Sequence, residues 1–172
     1  MSVDAGVVCL PTATNQVLPS AATTWSKGQP AKIIASAAQF PNRVCGLSSV
    51  SNSMYSSQNG WESSGDSVQV WSDGTNWWIG GQGSAQGTAT CVDKTSGGGL
   101  LGLVSNASTP IVNSIDHGTR PLGTQCFLSR VGGAFTHGGS TNDGLYVTFD
   151  AGSNWWNLEA DNGKTAGVTC LQ

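Results

Sequence analysis

The chain has 172 residues, 10% of them charged, with seven Lys and Arg against ten Asp and Glu for a net charge of −3. Cations this few and scattered leave no footprint for a phosphate backbone, which argues against nucleic-acid binding. No run of 18 apolar residues is present, which argues against membrane insertion, and a surface rich in Gly, Ser, Thr and Asn suits contact with sugars or other proteins.

The first predicted element is a short strand over residues 5–10 that carries Cys9 within Val7-Val8-Cys9-Leu10. No basic segment with an apolar core and cleavage site precedes it. The segment over 10–44 lacks a clear period and is expected to be a long loop. Cys45-Gly-Leu-Ser-Ser-Val50 then opens a module. Ser67-Val-Gln-Val70 alternates as a half-buried strand does. Trp71-Ser-Asp-Gly-Thr-Asn76 is a hairpin candidate, because Asp-Gly readily supplies the positive φ of a tight turn. Asn76-Trp77-Trp78 continues into the return strand, followed by a Gly-rich turn, and Gly87-Thr-Ala-Thr-Cys91 closes the unit on small residues.

The same series returns further on. After a second expected loop over 92–125, Cys126-Phe-Leu-Ser-Arg-Val131 matches the opening and Tyr146-Val-Thr-Phe149 the alternating strand. Asn154-Trp155-Trp156 matches the Trp pair and Ala166-Gly-Val-Thr-Cys170 the closing strand. The second hairpin turn, Phe149 to Asn154, reads as one residue shorter than the first. Ser96–Val104 begins flexibly and becomes apolar, a candidate edge cover or docking loop. Val112–His117 is the one place where a single helical turn is expected. The fold class is therefore all-β: two tandem, related antiparallel modules, sandwich- or barrel-like, disulfide-stapled and with long loops. The units are residues 1–91 and 92–172.

The five cysteines form no CxxC pair, so disulfides are favoured over a metal site. Pairing Cys45 with Cys91 and Cys126 with Cys170 staples both modules alike and leaves Cys9 unpaired. The rival scheme joins Cys9 to Cys45 and Cys91 to Cys126, and five free thiols are the third possibility.

Adjacent tryptophans on a strand face opposite sides. One of Trp77 and Trp78, and one of Trp155 and Trp156, should therefore be core, leaving the other ring to fill space under a loop or to stack on a sugar. Trp61 and Trp71 occur only in the first copy, and with Tyr55 and Asn59 they mark a candidate ligand-binding patch. Glu62 and Asp66 are the only candidate acid pair, and solvated loop carboxylates explain them better. No nucleophile elbow surrounds a serine, and the Asp73 and Asp161 segments read as turns rather than calcium loops. No catalytic residue, metal or cofactor is expected.

The succession Cys-x-Leu-Ser-x-Val, alternating strand, Asn-Trp-Trp and small-residue strand ending in Cys resembles tandem Cys…Trp-Trp…Cys β-repeat modules of bacteriophage-associated and secreted bacterial surface proteins. The resemblance covers about 45–93 and 126–172. It implies a virion or extracellular setting and transfers no functional residue. The expected function is a non-enzymatic virion or cell-surface structural or recognition protein, of the capsid-decoration or tail-tip receptor-binding type. Its expected partners are other virion or surface proteins, cell-surface glycan, or further copies of the chain in a homo-oligomer. A secreted carbohydrate-binding module is the alternative, ahead of a glycan-cleaving enzyme.

Overall fold

A computed structural model describes residues 16–17, 22–36, 43–51, 64–94, 105–108, 111–115, 125–135, 145–150, 152, 155–160 and 164–171. In some strands only the backbone is described, including at Cys126, Trp155, Trp156 and Cys170. The expected strand at 5–10 and the docking loop at 96–104 lie outside these residues.

The described residues contain strands and turns and no helix. The strands are β1 (Gln16–Val17), β2 (Thr23–Ser26), β3 (Lys32–Ser36), β4 (Arg43–Ser51), β5 (Ser67–Ser72), β6 (Asn76–Gln82), β7 (Gln86–Lys94), β8 (Ser105–Ser108), β9 (Ile111–Ile115), β10 (Gln125–Gly132), β11 (Leu145–Asp150), β12 (Trp155–Ala160) and β13 (Thr165–Leu171). Every ladder is antiparallel.

In the first copy β2-β7-β4 form one layer, extended by β1, and β3-β6-β5 the other. Alternation along each strand fills the space between them. Val68 and Val70 of β5 and Trp77 and Ile79 of β6 meet Trp25 of β2, Cys45 of β4, and Ala89 and Cys91 of β7. The small residues of β7 let the layers approach: a side chain at Gly87 would run into Val68. The outer side of β7 is polar, with Thr88 and Thr90 bonded through their hydroxyls to Thr24 and Ser48.

The second copy repeats these pairings strand for strand: β8-β13-β10 correspond to β2-β7-β4, and β9-β12-β11 to β3-β6-β5. Among the described residues its buried cluster is Leu158, Ala160, Ala166 and Val168. Even the irregularities recur, with a bulge at Ser48 in β4 and at Ser129 in β10, each three residues past a cysteine. Cys45 and Cys91 are cross-strand partners joined by a disulfide with a Cα–Cα separation of 3.9 Å. The bridge overturns the scheme that joined Cys9 to Cys45. Cys126 stands opposite Cys170 in the same register.

Four expectations change. The segments over 10–44 and 92–125 are not simply loops, because β1 to β3 and β8 to β9 lie in them, stabilised by pairing with strands far along the chain. Val112–Ile115 is strand, not a helical turn, since its backbone pairs with Asn157–Glu159 and Trp156. Gly80–Gly81 lie inside β6, and the turn comes later, at Gly83–Ser84. The second hairpin is no shorter: Ser72 with Trp77 and Asp150 with Trp155 are the last pairs and enclose equal stretches. Buried Ile79 follows Trp77 by two residues and buried Leu158 follows Trp156 by two. The Asn-Trp-Trp motifs are thus offset by one residue between the copies.

The layers of the two copies are joined edge to edge. Ser67, Val68 and Gln69 of β5 pair with Gly132, Val131 and Arg130 of β10, making the six-stranded sheet β3-β6-β5-β10-β13-β8. This seam positions the site.

Candidate functional site

The tip of the β5–β6 hairpin fixes two tryptophans. Gly74 takes φ of +87°, as the turn requires. The Asp73 carboxylate accepts the backbone N–H of Thr75 at 2.8 Å and of Asn76 at 2.7 Å through Oδ1, and the Trp78 indole N–H at 2.7 Å through Oδ2. These donors favour the charged carboxylate, led by Asn76, and hold its pKa below the ordinary 3.8. Trp78 in turn stacks on its cross-strand partner Trp71, with ring centroids 6.4 Å apart and planes inclined by 13°. Trp77 points the other way. It is buried, and its indole N–H donates to the Arg43 carbonyl at 3.1 Å.

Trp71 forms one wall of an open groove of about 360 Å³ on the outer face of the six-stranded sheet. The strand period sets its lining. Ser67, Gln69 and Trp71 alternate along β5, Gly80 and Gln82 face the same way on β6, and Arg130 and Thr165 come from β10 and β13. The absent side chain of Gly80 makes room for the aromatic wall: a Cβ there would lie 3.0 Å from the Trp71 ring. Arg130 stands between Gln69 and Gly167 in the ladder, and its Nε is buried with no hydrogen-bond partner. The groove therefore combines an apolar ring face, two amides, a hydroxyl and a guanidinium, within the ordinary size range of ligand sites. It spans the seam, so both copies contribute to it.

The second copy carries different residues at the positions that correspond to this wall. Val70 pairs with Ile79 and Val147 with Leu158, so Thr148 occupies the place of Trp71. Glu159 correspondingly replaces Gly80.

Of the residues singled out from sequence, Trp71 lines the groove, Trp78 supports it from behind, and Trp77 belongs to the core. Trp155 and Trp156 lie on β12, their side chains outside the described set, and Tyr55, Asn59, Trp61 and Glu62 also lie outside it. Asp66 is buried, and its carboxylate accepts the Ser84 N–H at 2.9 Å. It braces the β6–β7 turn, where Gly83 takes φ of +66° and a Cβ would collide with Asp66. Gln69, Gln82 and Arg130 were not singled out. The alternation of β5 marks Gln69, whereas the position of Arg130 depends on the β5–β10 pairing, which no local pattern announces.

Comparison of the chain with protein-family models, curated proteins and solved structures finds no match. The groove's own chemistry carries the functional argument.

Proposed function

We propose that this chain is a non-enzymatic recognition protein of a virion or cell surface, and that it binds glycan in the groove at the seam. The observation that carries this reading is the ring of Trp71, braced by Trp78 and bordered by Gln69, Gln82 and Thr165. Such a ring offers a flat apolar face to the C–H side of a pyranose, while amides and a hydroxyl bond the sugar's hydroxyls. The use of Asp66 as a turn brace supports the non-enzymatic part, because that carboxylate is already committed to backbone. The surface or virion setting is supported by the Cys45–Cys91 bridge, which suits an oxidising environment.

A glycan array with the full chain and its Trp71→Ala variant tests the proposal. Binding by the parent and its loss in the variant are expected. A parent that binds no glycan, or a variant that binds as the parent does, overturns it.

A further inference from the structure

We infer that the groove selects sugars carrying a carboxylate, such as uronic or sialic acids, and that the Arg130 guanidinium anchors that group. The inference rests on the glycan reading above and adds the class of sugar.

Arg130 is the cation among the described residues that line the groove. Its Nε is buried without a hydrogen-bond partner, although a guanidinium carries five N–H donors and no acceptor. Arg130 lines the groove, and a ligand bound there brings acceptors to its guanidinium where the side chain borders the open space. A planar carboxylate does so best, because its two oxygens match two parallel N–H bonds and carry charge. A sugar hydroxyl supplies one acceptor and no charge. Gly167, the cross-strand neighbour of Arg130 on β13, has no side chain to compete for the space.

The second charged group among the described lining residues, Asp66, is turned toward the β6–β7 turn, so the preference rests on the fork geometry of Arg130 rather than on net charge. Asp66 is buried at the β6–β7 turn, with Oδ1 taken up by the Ser84 N–H. The spacing also suits a sugar. Arg130 stands opposite Gln69, and Trp71 lies two residues farther along β5. That places aromatic wall and cation about 7 Å apart along the strand and about 5 Å across it, comparable to one or two sugar rings.

The test uses the full chain and matched pairs of oligosaccharides, each ending in glucuronate or N-acetylneuraminate or in its carboxyl-reduced counterpart. The acidic member should bind about tenfold or more tighter, and the gap should narrow as salt is raised. In Arg130→Gln the preference should vanish, the acidic member losing about tenfold or more in affinity and the reduced member much less. Arg130→Lys, which keeps the charge but loses the fork, should retain part of the preference. Near-UV circular dichroism and an intact Cys45–Cys91 bridge identify variants that are folded. Equal binding of both members by the parent, or an undiminished preference in folded Arg130→Gln, overturns the inference and leaves glycan binding standing. Absence of binding to either member overturns the inference, and overturns the glycan reading as well only when the parent also binds nothing on the glycan array.

Discussion

Trp77 and Trp78 are neighbours in sequence, yet their different environments predict different mutational effects. Trp77 sits among Val70, Ile79 and Cys45 in the core, so Trp77→Ala should lower unfolding free energy by about 3–5 kcal/mol, read from a denaturant melt. Trp71→Ala removes a half-buried ring from the groove wall and should cost far less stability while lowering glycan affinity by about tenfold or more. Asp73 links turn and wall. Because its folded pKa is lowered, its stabilising contribution is complete above the ordinary 3.8 and disappears as pH falls through the lower folded value. The near-UV signal of the Trp71–Trp78 pair should therefore persist to below pH 3.8 in the parent, and Asp73→Ala should show the altered signal at neutral pH. A parent spectrum that changes above that pH would contradict the assignment.

At the scale of elements, the paired strands and their staples define each copy. The Cys45–Cys91 bridge spans 46 residues, and replacing both cysteines with alanine should cost about 4 kcal/mol by the loop-entropy argument. Since Cys126 and Cys170 occupy the same register, non-reducing mass spectrometry of the five-cysteine chain should find a second bridge and one alkylatable thiol, Cys9. A labelled Cys126 would defeat that expectation. Gly81→Ala should weaken the β5–β6 ladder, because the added methyl meets the Ser67 carbonyl and the Trp25 ring. Much at this scale was legible in the sequence: the Asp73-Gly74 hairpin, the split between core Trp77 and outer Trp78, and the first disulfide all have local signatures. Strands β2, β3, β8 and β9 were not legible. They have four or five residues each and are stabilised chiefly by strands distant in sequence. The groove was half legible for the same reason, since Trp71 declares itself by size while Arg130 reaches it only through tertiary pairing.

For the whole molecule, the deciding feature is that the copies share a sheet. The proposed surface role predicts a homo-oligomer, which light scattering behind size exclusion would find as a trimer or larger particle, and a strictly monomeric chain would count against it. The β5–β10 ladder has a separate consequence for the single chain. Cutting between β7 and β8 severs the covalent link but leaves the ladder Ser67–Gly132, Val68–Val131 and Gln69–Arg130 intact. The two pieces should remain one particle after such a nick. Prepared separately, each would present a bare strand edge that fits the other. Because the groove takes Trp71 from one piece and Arg130 from the other, ligand binding would return only when they are mixed, making the protein its own complementation assay.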